Sequence, residues 1–290
     1  MEITRKAYAK INLGLDVLGK RDDGYHLVKM IMQNVDIYDT LTFKKTNDGK
    51  VSLLANDESI PVDDSNLICK VAKQLQDRYG ITDGAQIELV KRIPVAAGMA
   101  GGSTDGAAAY RALNELWGIG ASDKELCELA VKLGADIPYC IMGGTALSEG
   151  IGEVLTPIDG KAKYHLVVAK PDIMVSTGWV YTELDSTEIE RHPDIDAIKA
   201  AIEDGDVKRM CSEIRNVLEP VTTEKHGVIK EIEKVLEDNG AVKAFMTGSG
   251  PTVFAIFDDE NKASEGFEAV KKSGLARQLF LTKPIDPAQV

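Results

Sequence analysis

The chain has 290 residues, 44% of them hydrophobic and 28% charged, the balance of a folded protein of one large domain or two ordinary ones, which excludes disorder. A net charge of -12 disfavours a general nucleic-acid or anionic-membrane surface, because such binding leans on phosphate neutralisation by Lys and Arg. No segment has the length of a membrane span, MEITRKAYAK carries no apolar run behind its basic residues, and the four cysteines sit apart without a CxxC pair, so a reducing cytoplasm without zinc clusters is the expected setting.

The first fifty residues hold nine Lys/Arg against seven Asp/Glu, a local +2 that leaves -14 for the remainder, so anion handling is expected there first. From Ala7 to Val17 apolar and polar positions alternate, which predicts a half-buried strand with Lys10 and Asn12 sharing its non-core face. KRDDGYH reads as a turn, and a second alternating run from Ile31 to Phe43 predicts an antiparallel partner. Helix signals follow over 66–79, then a short strand over 86–91. Ser122 and Glu125 make a capping box for a helix with Leu126, Leu129, Ala130 and Leu133 on one face. Beyond residue 160 come strands near 164–169, 242–246, 252–257 and 278–283, and helices near 194–205, 227–238 and 261–273. This predicts a second α+β unit, with domains at 1–160 and 161–290 sharing a cleft, since no Pro- or Ser-rich linker separates them.

Between strand and helix lies PVAAGMAGGSTDGAAA, from Pro94 to Ala109, with four glycines and six alanines. Glycine clusters are expected where backbone takes unusual angles or itself touches a ligand. A glycine-rich loop entering a helix suits an anion, because the first helical N–H groups are unpaired and the dipole favours negative charge. Phosphate fits, with Ser103 or Thr104 adding a hydroxyl; a tightly packed helix start capped by Ser or Thr fits the same residues. GxxxxGK[ST], GxGxxG and HExxH are all missing.

Asp136 in GADIPYC reads alone as an N-cap, and Lys10 alone as an outward lysine. Beside a phosphate cradle the two gain another reading: a carboxylate and an ammonium that orient and deprotonate a hydroxyl acceptor. Tyr25 and His26 follow a turn glycine, and Trp179 and Tyr181 fall in MVSTGWVY, read as a loop. Such placement permits stacking on a base or sugar. TGSGPT, from Thr247 to Thr252, joins two strand-like runs as a bare turn or as a second wall of the phosphate cleft.

In order along the chain, AKINLGLDVLGKRDDGYH, PVAAGMAGGSTDGAAA, GADIPY and TGSGPT resemble the signatures of the GHMP kinases. The first is similar to the branch whose acceptor is a cytidine diphosphate-linked methylerythritol. The resemblance implies a two-domain α+β fold, the N-terminal half like ribosomal protein S5 domain 2 and the C-terminal half ferredoxin-like. It also implies transfer of the γ-phosphoryl group of ATP to the 2-hydroxyl of the methylerythritol moiety, in the non-mevalonate route to isoprenoids. By the same resemblance, Lys10 and Asp136 are catalytic. The ATP loop is Pro94, Val95, Ala96, Ala97, Gly98, Met99, Ala100, Gly101, Gly102, Ser103 and Thr104, and Asn12, Tyr25, His26, Thr177 and Tyr181 face the substrate. Members of the family carry more glycine, and a Leu, where this chain has Ala96, Ala97 and Met99, a departure that bears on nucleotide fit. No acidic Mg²⁺ ligand stands out, so Mg²⁺ is expected to arrive with ATP, held mainly by phosphates, water and Ser103; no nucleic acid, membrane or obligate protein partner is expected. The rival readings are a GHMP kinase for mevalonate or homoserine, a nucleotide sensor that has lost catalysis, and an RNA-binding module; GKRDDGYH with Tyr181, the retained Lys10 and Asp136, and the acidic balance weigh against them in turn.

Overall fold

The computed structural model describes residues 1–286. Its first sheet is built on a long hairpin, β1 (Glu2–Lys20) and β2 (His26–Thr46), joined by the expected turn. Further along come β3 (Val51–Ala55), helix α1 (Leu67–Tyr79), β4 (Gly84–Val90), α2 (Gly101–Leu116), α3 (Asp123–Ala130), α4 (Ile137–Met142), β5 (Thr145–Glu149) and β6 (Val154–Pro157). The strand order is β3-β4-β2-β5-β6, with β1 paired to β2 off this path. A four-stranded sheet follows in the order β10-β7-β9-β8, made by β7 (His165–Lys170), β8 (Lys243–Met246), β9 (Val253–Phe257) and β10 (Gln278–Thr282). Around it lie α5 (Thr177–Leu184), α6 (Ile195–Asp204), α7 (Val207–Glu213), α8 (Glu219–Lys225), α9 (Val228–Asp238) and α10 (Glu260–Ser273). No helix among the described residues is long and apolar enough to cross a membrane.

Local signals account for much of this. Asn66 caps α1 by accepting from the Ile68 N–H, and Ser122 with Glu125 closes the capping box of α3. In two places the tertiary structure departs from expectation. Strand β1 is not half-buried: every residue from Ala7 to Val17 is buried, because α2 and α6 pack against it as well as β2. The face carrying Lys10 and Asn12 is therefore covered rather than solvated. MVSTGWVY is also not a loop, since Ser176 caps α5 through the Trp179 N–H.

Helix α2 positions the site. Its alanines 107, 108, 109 and 112 are buried, so it lies close against β1 and α1, while Tyr110 and Leu113, fully buried, fix its depth. Each such large side chain contributes about 1.5–3 kcal/mol on burial.

Candidate active site

A cavity of about 540 Å³ opens between the first sheet, the segment from Pro94 to Ser103, and the turn at Gly248 and Ser249. Two bonds to β1 seat the glycine segment: the Lys10 backbone N–H donates to the Met99 carbonyl at 3.2 Å, and the Thr104 hydroxyl donates to the Tyr8 carbonyl at 2.7 Å. Thr104 therefore anchors the helix from within, and its hydroxyl does not face the cavity; Ser103 does line it.

Neither Ser103 nor Thr104 caps α2. The N-cap is Ala100, in the left-handed conformation and with no side-chain bond to the first turn. The helix thus begins two residues before Ser103, and its leading N–H groups meet the cavity without a competing side chain. Left-handed angles recur at Ala96 (φ 51°), Gly98 (φ 70°) and Ala100 (φ 55°). Gly98 is fixed by space too: a Cβ there would stand 2.5 Å from the Thr247 carbonyl oxygen. The segment from Thr247 to Gly250 is therefore the wall against which the glycine loop rests. It is tied in turn to β1 by the Asn12 N–H, which donates to the Thr247 hydroxyl at 3.0 Å.

On the cavity floor, the Lys10 ammonium donates to Asn12 Oδ1 at 2.9 Å and to the Gly98 carbonyl at 3.3 Å, and stands 3.7 Å from Asp136 Oδ2. Asp136 occupies the N-cap position of α4, yet its side chain makes no capping bond. The carboxylate points instead toward Lys10 with 32% of its side chain exposed. A buried cation and an accessible carboxylate thus meet where a hydroxyl can lie between them.

Thr177 and Tyr181, one turn apart on α5, both line the cavity, and the Thr177 hydroxyl pairs with that of Ser249 at 2.8 Å. Burial, with the Asp136 charge adding to it, pushes the Tyr181 phenol up to about 12, so it stays neutral. The His26 ring lies 4.7 Å from that of Tyr181, and His26 Nε2 is 2.7 Å from Asp185 Oδ1. Asp185 also takes Lys20 at 2.5 Å, so one carboxylate at the end of α5 clasps the β1–β2 hairpin. Tyr25 lies outside the cavity, 58% exposed on the hairpin turn.

A group that the sequence reading did not mark adjoins the loop. Lys91, just past β4, bridges Asp39 Oδ2 at 2.5 Å and Asp105 Oδ2 at 2.7 Å, and both Lys91 and Asp105 line the cavity. KRIP after a strand and STDG at a helix start were the only signals available, and neither carries its pairing on its face. Among the described residues no group of three or more His, Cys, Asp or Glu converges as a metal cage.

The descriptions "GHMP kinases N terminal domain" and "GHMP kinases C terminal" match residues 66–144 and 197–275. The chain is 47% identical over 281 residues to a 4-diphosphocytidyl-2-C-methyl-D-erythritol kinase of Clostridium perfringens, covering 97% of this chain and 98% of the relative. It is 48% identical to the enzyme of that name from Lachnoclostridium phytofermentans, covering 97% of each. A crystal structure of 4-(cytidine 5'-diphospho)-2C-methyl-D-erythritol kinase superposes with a TM-score of 0.82 at 28% identity, over 97% of this chain and 99% of that one. Homoserine kinase from Cytophaga hutchinsonii shares the fold, with a TM-score of 0.80 at 19% identity over 99% and 96% of the two chains.

Proposed function

Since the chain belongs to the 4-diphosphocytidyl-2-C-methyl-D-erythritol kinases of the GHMP kinase family, we infer that it phosphorylates that substrate with ATP, on the 2-hydroxyl of the methylerythritol moiety, in isoprenoid precursor synthesis. The observation that carries the mechanism is the Lys10–Asp136 pair, 3.7 Å apart on the floor of a cavity walled by the glycine loop.

In this reading the first-turn N–H groups of α2 and the backbone from Pro94 to Ser103 hold the polyphosphate, since no side chain caps that turn. Gly98 lets that loop rest on the Thr247 turn, since any Cβ there would strike the Thr247 carbonyl. Mg²⁺ bound with the nucleotide would supply charge neutralisation, and Ser103, which lines the cavity, is the residue that would assist in holding it. Asp136 accepts the proton of the attacking hydroxyl. Lys10, already hydrogen-bonded to Asn12 and Gly98, orients that oxygen and faces the charge that develops as the phosphoryl group moves. Asn12, Thr177 and Tyr181 frame the acceptor, and His26, stacked beside Tyr181 and held by Asp185, serves the cytidine end together with Tyr25 on the hairpin turn. We place the boundary between the two halves near residue 160, between β6 and β7, and the site of action in the cytoplasm.

A coupled assay of ADP release, offering the cytidyl substrate beside mevalonate and homoserine, tests this directly. Turnover is expected with the first alone. Comparable rates with an alcohol lacking cytidine would remove the substrate assignment and leave only the family.

A further inference from the structure

The cluster around Lys91 has more charge than a structural tie needs. Its three side chains are almost completely enclosed, at 5% exposure for Lys91, 0% for Asp39 and 6% for Asp105. Asp39 is fully engaged: one oxygen takes Lys91, and the other accepts the backbone N–H groups of Arg92 at 2.5 Å and Ile93 at 2.8 Å. Asp105 is not. Its Oδ2 takes Lys91, while its buried Oδ1 has no hydrogen-bond partner.

Glycine at 101 has its explanation here. Gly101 is helical, so it is not retained for a left-handed angle. A Cβ at that position would instead lie 3.0 Å from Lys91 Nζ and 3.2 Å from Ile93 Cγ2. The ammonium therefore runs directly against the first turn of α2. A cation is disfavoured at the positive end of a helix dipole, and enclosing it adds a desolvation cost. Two carboxylates overcome both penalties and keep Lys91 charged. An anion seated on that helix end turns the same placement from unfavourable to favourable.

We propose that Lys91 is a positioning cation of the nucleotide site: clamped by Asp39 and Asp105, it lies against the first turn of α2 and adds positive charge where the loop holds polyphosphate. The proposal rests on the kinase reading above. Asp39 and Asp105 act by holding the ammonium. Burial drives the Asp105 carboxyl well above the usual carboxylate range, with Lys91 opposing and Asp39 reinforcing that shift.

The sign of two substitutions separates this role from a purely structural one. Lys91→Met keeps the length of the stem and deletes the charge. Asp105→Asn keeps an acceptor for Lys91 and removes the possibility of a negative charge. Calorimetric titration with ADP and Mg²⁺, and separately with the cytidyl substrate, reads both. Lys91→Met is expected to weaken ADP about tenfold or more while the cytidyl substrate stays within about twofold of the parent. Asp105→Asn is expected to bind ADP more tightly than the parent, because a negative charge beside the phosphate site is removed. A folded Lys91→Met protein with parental ADP affinity overturns the proposal, as does Asp105→Asn losing ADP affinity in step with Lys91→Met. Should Lys91→Met lose its thermal transition, Asp105→Asn decides: tighter ADP binding supports the proposal, and parental or weakened binding ends it. Failure of the unaltered protein to bind ADP at all would strike the kinase reading, whatever the variants do.

Discussion

Asp136→Asn keeps the shape and the hydrogen-bonding capacity of the side chain but removes its ability to accept a proton. A positioned base is worth about 10² to 10⁴ in rate, or about 2.7–5.4 kcal/mol of barrier. The structural cost is far smaller. Asp136 makes no capping bond in α4, so no cap is lost. Its pairing with Lys10 is long, 3.7 Å, and one third of its side chain is in solvent, at 32%, which limits the loss in folding stability to under about 1 kcal/mol. Lys10 keeps its bonds to Asn12 Oδ1 and the Gly98 carbonyl and is not left unpaired. Single-turnover phosphoryl transfer is therefore expected to fall by two to four orders of magnitude, with both substrates still binding and the melting temperature nearly unchanged. Near-normal transfer with a lowered melting temperature would mean that the carboxylate serves the fold and not the reaction. Lys10→Met should behave differently: because its ammonium also holds the Gly98 carbonyl, the loss of rate comes with weaker nucleotide binding.

Gly98→Ala forces a left-handed φ of 70° on a residue with a Cβ and drives that atom to 2.5 Å from the Thr247 carbonyl; about 1–2 kcal/mol of strain plus displacement of the loop should raise the ATP KM sharply, and an unchanged KM with an unchanged melting temperature would refute the packing described. Ala96→Gly works in the opposite sense, relieving φ 51° at an exposed position and raising stability by about 0.5 kcal/mol once the added freedom of the unfolded chain is subtracted, a change resolvable in denaturant midpoints. Glu233 is buried on α9 beside Lys230, and burial, reinforced by Glu219, pushes its carboxyl up to about 7. The folded state therefore holds the proton more tightly than the unfolded chain, so the contribution is present at acid pH and is lost as pH climbs from the ordinary carboxylate range toward about 7. Glu233→Gln should match the parent near pH 5 and exceed it in stability near pH 8, as denaturant curves at the two pH values would reveal; a constant difference across that range would contradict the assignment.

Short-range physics made much of the architecture legible in the sequence. Caps and periods act over three or four residues, so the Ser122–Glu125 box announces α3, and helix signals over 66–79 and near 194–205 mark α1 and α6, before any fold is known. The four ordered motifs likewise placed Lys10, the glycine segment, Asp136 and the Thr247 turn around one cleft. The start of α2 escaped that reading because its cap is an alanine with no side-chain bond, and such a cap leaves no compositional mark. Helix α5 escaped because only Val180 and Leu184 are buried along it, too few to show a period. Alternation in β1 correctly placed Lys10 and Asn12 on one face, but period two cannot distinguish a face open to water from a face that another element will cover. The Asp39–Lys91–Asp105 cluster lay beyond reach for a related reason. Lys91 and Asp39 are 52 positions apart in the chain, and each alone reads as a surface charge. The pairing of β2 with β4, Thr40 opposite Val90, sets Asp39 beside Lys91, and the packing of α2 over the sheet adds Asp105 in a place where water is excluded and pairing becomes obligatory.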